Sequence, residues 1–354
     1  MLSIGCDAHK RYSQFEVQDQ HGHVHGQTRV NHQRGAIQEY LSGFPEGTPV
    51  ALESVGNWYW IADEIEAAGC LPLLTHAAKA KVMMGHVNKT DKLDAAGLAT
   101  LLRNGTLPAV WLPPGSVRDE RELPRTRMAL SGMRTAIKNR IHATLAKYAL
   151  SPTGVTDLFS KKGCIWLEGA LKALPSNTSK CVKQELELLD SFNSQIQALE
   201  SRMRQQIQTT ANMQLLKTLP GVGDILATVI EREIGSIDRF QLAEQLAGYS
   251  GTTPKVHASG GKIHYGPMRQ EANHYLKWAF IEAGNVIALN HAKTSWQRKH
   301  VSQLYERIRK RKGHSVAIGA VARHLSEAAF WILKKQEPYQ EPKSFQPRQG
   351  QARR

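Results

Sequence analysis

Apolar and polar positions alternate in short runs over the first hundred residues, then settle into spacings of three and four, so the chain reads as an α/β segment followed by an α segment. Strand patterns cover residues 2–7, 12–18, 24–30, 49–53 and 71–75, and helical patterns cover 33–43, 57–68 and 91–103. Pro113-Pro114-Gly115 closes this region. From 117 to 150 the apolar residues Leu130, Met133, Ile137, Ile141 and Leu145 fall on one helical stripe, which leaves many of Arg118, Arg121, Arg125, Arg127, Arg134, Lys138 and Arg140 to solvent or phosphate. A second helix over about 180–208 carries Leu189, Phe192, Ile196, Leu199 and Met203, a coiled-coil-like seam of about two to three heptads. So short a seam is met equally by packing within one chain and by oligomerisation. Residues 213–235 read as helix, tight glycine turn, helix, and the stretch from 337 onward is Pro/Gln-rich and expected to be disordered. The expected division is therefore 1–115, 116–210, 211–336 and a tail 337–354.

The order of three strands, a helix, then alternating strand and helix is that of a ribonuclease-H-like (RuvC-like) domain. Four acids sit where such a domain would converge them. Asp7 ends the first strand, Glu53 ends the fourth, and Asp91 and Asp94 lie three apart on one face of a helix that Thr90 or Asp91 can cap. Acids at a helix start also suit the macrodipole, so each of the pair alone means little. Glu53 carries more weight, because it directly follows Val-Ala-Leu. Four converging carboxylates repel at neutral pH unless cations neutralise them. Mg²⁺ fits an all-oxygen set that leaves positions for water and phosphate, and paired ions about 3.5–4 Å apart serve phosphoryl chemistry.

Charge sharpens the picture. The chain has 46 Lys and Arg against 31 Asp and Glu, but residues 1–110 hold 9 against 11, so the excess lies wholly downstream. That asymmetry is the footprint of a polyanion binder with salt-sensitive affinity. Basic runs such as Arg298-Lys299-His300 and Arg307 to Lys312, with Arg309, Lys310, Arg311 and Lys312 at its centre, are the candidate phosphate contacts. No run of about 18 apolar residues and no basic-then-apolar leader is present, so neither a membrane span nor a signal peptide is expected, and the cytoplasm is the expected compartment. Cys6, Cys70, Cys164 and Cys181 form no C-x-x-C pair and read as buried, reduced thiols.

Leu219-Pro220-Gly221-Val222-Gly223 between two helices resembles a helix-hairpin-helix, in which glycines, here Gly221 and Gly223, let backbone N–H groups approach a DNA phosphate. Ile4-Gly5-x-Asp7, Glu53 after an apolar strand, Asn88-Lys89-Thr90-Asp91-x-x-Asp94-Ala95, Leu-Pro-Gly-Val-Gly, Ser259-Gly260-Gly261-Lys262 and Asn273-His274-Tyr275-Leu276-Lys277 follow in that order. Lys312-Gly313 then leads into Ala320-Val321-Ala322-Arg323. Over nearly its full length the chain thereby resembles the insertion-sequence "one-ten" family of transposases. The resemblance implies a RuvC-like domain whose DEDD quartet, here Asp7, Glu53, Asp91 and Asp94, holds Mg²⁺. It implies a mainly helical C-terminal transposase domain with a serine nucleophile, here Ser259. Its further implications are a structured noncoding guide RNA, double-stranded donor and target DNA, a dimer or tetramer that combines serine and acids from different subunits, and a bacterial, nucleoid-associated setting.

Ser250 competes with Ser259 as nucleophile, but in the family its neighbourhood is the apolar approach to a Gly-x-x-Pro turn. His257 and His264 flank Ser259 without an acidic orienter nearby in sequence, which favours surface or phosphate-contacting roles over a triad. Where the family has Lys-x-Gly-Asn, this chain has Gln270-Glu271-Ala272-Asn273, which puts a local DNA contact in question. Trp58, Tyr59 and Trp60 are expected in the core or stacked on RNA. The rival activities are a junction nuclease that uses the acids and water alone, and a non-catalytic nucleic-acid binder.

Overall fold

A computed structural model describes residues 1–85 and 90–342. Asn88 and Lys89 of the Asn-Lys-Thr-Asp motif and residues 343–354 of the tail lie outside the described residues. The chain divides into two compact units, Met1–Gly115 and Ser116–Arg354.

In the first unit the elements are β1 (Ser3–Ala8), β2 (Tyr12–Gln18), β3 (Val24–Asn31), α1 (Ala36–Leu41), β4 (Pro49–Glu53), α2 (Trp58–Ala67), β5 (Leu71–Thr75), α3 (Ala77–Met84) and α4 (Asp91–Arg103). They form one five-stranded sheet in the order β3-β2-β1-β4-β5. β1, β2 and β3 pair antiparallel, whereas β1–β4 and β4–β5 pair parallel. Because side chains alternate across a strand, the two faces differ in chemistry. Ile4, Cys6, Phe15, Val17, Val50 and Leu52 point to one side and build the main core with Ile37, Leu41, Ile61 and Ile65 from α1 and α2. The opposite face carries Gly5, Asp7, Gln14, Glu16, Gln18 and Ala51 and is covered by α4, whose Leu98 packs with Ala51. Two of its buried polar groups are tied together: Glu16 accepts from Gln18 and Gln27, and Gln18 also reaches Thr100 of α4. α3 was not foreseen. Its Val82 and Met83 are exposed, so it has no apolar stripe to read.

The second unit holds α5 (Gly115–Lys147), α6 (Lys161–Ala173), α7 (Ser176–Gln206), α8 (Ala211–Leu216), α9 (Asp224–Ile234), α10 (Ala243–Tyr249), β6 (Pro254–Ser259), β7 (Lys262–Met268), α11 (His274–Asn290), α12 (His300–Lys312) and α13 (His314–Lys335). Ile141 and Leu145 of α5 pack with Leu167 and Leu171 of α6 and Val182 and Leu189 of α7. In α7 the fully buried positions are Val182, Leu189, Ile196 and Met203, a strict seven-residue repeat, while Phe192 and Leu199 are only half-buried. The helical pair therefore packs within the chain. A larger core gathers α8 to α13 around Leu216, Ile230, Phe280, Val321 and Phe330.

Several arginines of α5 make internal contacts that the stripe alone did not suggest, although Arg140 stays largely exposed. Arg125 makes a two-pronged ion pair with buried Glu233 of α9, and Arg121 donates to the carbonyls of Arg232 and Glu233. Arg127 pairs with Glu200, Arg134 donates to Asn193, and Arg140 pairs with Glu185, all on α7. Those partners run backwards along α7, so the two helices are antiparallel, and the charges specify that register. α13 is long and apolar enough by composition to cross a membrane, but more than half of its apolar window is buried, and it packs on α10, α11 and α12 as a core helix. The tail also departs from expectation over 337–342. Tyr339 donates its N–H to Thr218 and lies 3.3 Å from the His324 ring, and Glu341 accepts from the N–H of His300. All four cysteines are free, but only Cys6 and Cys70 are buried; Cys164 and Cys181 are exposed.

Candidate active site

Of the four predicted acids, the structure gathers Asp7 and Asp91 into one close group on the polar face of the sheet, while Glu53 and Asp94 lie outside that group among the described residues. Asp7 lies at the end of β1 with only 5% of its surface exposed. The parallel register that sets Cys6 beside Leu52 carries Glu53, at the end of β4, alongside Asp7 on the same face. α4 then brings Asp91 and Asp94 near enough to Asp7 for both charges to act on it. Thr90 caps this helix by accepting from the N–H of Leu93, which places both acids in the first turn. The close approach depends on Gly5. A Cβ there would stand 2.0 Å from the carbonyl oxygen of Ala95 and 2.6 Å from the amide of Ala99, so only glycine lets α4 lie this near β1.

A residue that sequence reasoning missed completes the cluster. His9 places Nε2 3.0 Å from Asp7 Oδ2 and 3.2 Å from Asp91 Oδ1. One ligand atom from each of Asp7, His9 and Asp91 falls within 4.8 Å of the others. The signal was available: Asp7-Ala8-His9 has the two-residue step that returns a side chain to the same face. Tyr12, across the β1–β2 turn, donates its hydroxyl to Asp91 Oδ2 at 2.5 Å, and the Arg29 guanidinium lies 3.6 Å over the Tyr12 ring. Burial raises the Asp7 carboxyl above its ordinary range, the charges of Asp94 and Asp91 push the same way, and His9 opposes them. Burial likewise pushes the Cys6 thiol up to about 12, with the nearby Asp7 and Glu53 charges adding to it.

These residues fit a divalent cation. Carboxylate oxygens from β1 and α4 and an imidazole nitrogen meet at a partly desolvated spot where the acid charges oppose one another. Asp7 Oδ2 and His9 Nε2 are shielded from solvent and face each other at 3.0 Å outside the alignment of a regular hydrogen bond. A cation between them would satisfy both lone pairs.

In the second unit, β6 and β7 form an exposed hairpin whose two-residue turn is Gly260-Gly261, with φ of +56° and +73°. Two successive positive φ values are what a tight hairpin turn of the right twist needs. Ser259 is the last residue of β6, exposed, and paired with Lys262, with the His257–His264 pair next on that face. Val256, Ala258, Ile263 and Tyr265 take the other face. Ser250 is fully buried at the end of α10, where its hydroxyl bonds to the Ala247 carbonyl and Thr252. Burial and those bonds leave it no access to a phosphate.

The remaining predicted contacts divide. Gly221 has a φ of +84° and sits against α11, where a Cβ would lie 2.5 Å from the carbonyl oxygen of Ala283, so its lack of a side chain serves packing. Gly223, at the start of α9, is exposed with open space around it. Arg309 and Lys310 both pair with Glu306, while Arg311 and Lys312 are exposed at the end of α12 with no ion pair among the described residues.

Residues 4–150 match the family model for the DEDD transposase domain of IS110 elements, and residues 213–302 match the model described as the transposase IS116/IS110/IS902 family. A probable family 20 transposase of Pseudomonas aeruginosa is 22% identical over 80% of this chain and 83% of its own length. The transposase of insertion sequence element IS1111A from Coxiella burnetii is 25% identical over 71% of this chain and 68% of its own. That of IS1328 from Yersinia enterocolitica is 21% identical over 94% and 96%. With both domain models matched in order and relatives aligned along most of its length, the chain belongs to the IS110/IS116/IS902 family of insertion-sequence transposases, enzymes that act on DNA.

Proposed function

We propose that this transposase cuts and rejoins double-stranded DNA through a serine nucleophile assisted by a divalent-metal site. The sheet order β3-β2-β1-β4-β5, with α4 laid over its acidic face, supports reading the first unit as ribonuclease-H-like. Asp7, Glu53, Asp91 and Asp94 hold the ion, with Mg²⁺ the proposed species because oxygen ligands dominate. When bound, the ion supplies positive charge against the charge that develops on phosphate oxygens. Ser259 Oγ attacks phosphorus; its bond to phosphorus forms as the bond to one deoxyribose oxygen breaks, and the serine proton ends on that leaving oxygen. A deoxyribose hydroxyl reverses the exchange and joins the new strand, so the phosphodiester energy is kept and no nucleotide cofactor is needed. Lys262, opposite Ser259, and Arg309, Lys310, Arg311 and Lys312 hold phosphates, and Gly223 offers a backbone N–H. A structured guide RNA, donor and target DNA, a dimer or tetramer and a nucleoid-associated bacterial cytoplasmic setting complete the proposal, all taken from the family resemblance.

The observation that carries this reading is the close approach of Asp7 of β1 and Asp91 of α4, with Asp94 near enough for its charge to act on Asp7, together with an exposed Ser259 and an inaccessible Ser250. Because the acids lie together in the first unit, attack by water in the manner of a junction nuclease is the second reading. Incubation with element-end DNA followed by denaturing electrophoresis separates them. Wild-type protein and Ser250→Ala should give a covalent protein–DNA adduct, and Ser259→Ala should give neither adduct nor joined product. Persistent cutting by Ser259→Ala with no adduct from wild type would establish the nuclease instead.

A further inference from the structure

The acids alone do not account for the geometry at the end of β1. His9 Nε2 is 3.0 Å from one carboxylate oxygen and 3.2 Å from another, on two different elements. We propose that His9 is itself a metal ligand, so that the site combines carboxylate oxygens with one imidazole nitrogen and takes manganese and its first-row neighbours more readily than magnesium. The inference rests on the metal reading given above.

Three features support it. Two ligand atoms each about 2.1 Å from a shared ion and at right angles to one another lie about 3.0 Å apart, which is the spacing seen between Asp7 Oδ2 and His9 Nε2. Those same atoms form a close pair that falls outside the alignment of a regular hydrogen bond. An imidazolium acting only as a counterion would align its N–H with the carboxylate, whereas ligands around one ion direct their lone pairs to a common point. Finally, Tyr12 ties up Asp91 Oδ2 and leaves Oδ1 directed toward His9, the kind of outer contact that orients a ligating carboxylate. An imidazole nitrogen favours first-row transition dications, while Mg²⁺ prefers oxygen throughout.

The test uses the full-length protein loaded with Mn²⁺. Electron spin-echo envelope modulation should show coupling of the manganese electrons to a ¹⁴N nucleus in the wild type, and His9→Gln should lose that coupling. By titration calorimetry, His9→Gln should weaken Mn²⁺ binding about tenfold or more while changing Mg²⁺ binding far less. Mn²⁺ that binds the wild type, depends on Asp7 as shown with Asp7→Asn, and yet shows no ¹⁴N coupling would overturn the role of His9 and leave the acidic metal site standing. Failure of either ion to bind the wild type would overturn both. The wild-type spectrum decides the matter even if a variant folds poorly.

Discussion

Gly5 shows how much one missing side chain can carry. Its neighbours on α4 are backbone atoms, which cannot rotate away, so Gly5→Ala should push the helix off the sheet. A loss of about 1–3 kcal/mol in urea unfolding is expected, as for other overpacked sites, along with weaker divalent-ion binding by calorimetry. Unchanged metal affinity would mean that Asp91 and Asp94 do not depend on this approach. The two glycines of the α8–α9 turn call for opposite outcomes. Gly221→Ala meets both a left-handed backbone and the Ala283 carbonyl, and should lower stability by more than about 1 kcal/mol. Gly223→Ala meets nothing, so stability should hold; if its N–H contacts a phosphate, DNA affinity alone should fall. Asp7 and Asp91, which the structure brings together, were readable because one ends an apolar run and the other opens a helix. His9 was passed over because a lone histidine after a strand carries no pattern until the register fixes its face.

At the scale of elements, α13 and the segment after it are joined through a half-buried imidazole. Burial and the neighbouring His300 push His324 down to about 4 from its ordinary 6.5. The unfolded chain therefore takes up a proton near pH 6.5, while the folded chain resists until about pH 4. Stability from this group is complete above pH 6.5 and is lost as pH falls toward 4, by roughly 3 kcal/mol. His324→Gln should flatten that part of the profile when urea midpoints are compared between pH 7 and 4.5. The hairpin β6–β7 illustrates a limit of pattern reading. Its Ser-Gly-Gly turn was evident, but its strands were not, because they mix apolar and polar residues that mostly remain exposed and so resemble a loop.

Across the whole molecule, the near-neutral first unit and the basic remainder imply that polyanion affinity resides in the second. Much of that positive charge is spent internally, since the α5 arginines bind Glu233, Glu200 and Glu185. Arg311 and Lys312 are different, exposed at the end of α12 and unpaired among the described residues. Replacing both by alanine should reduce the slope of log affinity against log salt by about 2 in anisotropy titrations with duplex DNA. Arg309→Ala should have a smaller effect, because its charge is already shared with Glu306. Equal effects would place the phosphate path elsewhere.

The one-dimensional pattern determined the alternation of strands and helices in the first hundred residues, the four acids and the net charge, because periodicity, chain-end chemistry and composition are local properties. Only the tertiary structure decided which serine is accessible, that the α5 arginines serve internal ion pairs, that residues 337–342 pack on the second unit, and that His9 joins Asp7 and Asp91. Each of those outcomes depends on atoms distant in sequence reaching contact distance, where burial and partner geometry, and not residue type, set the chemistry.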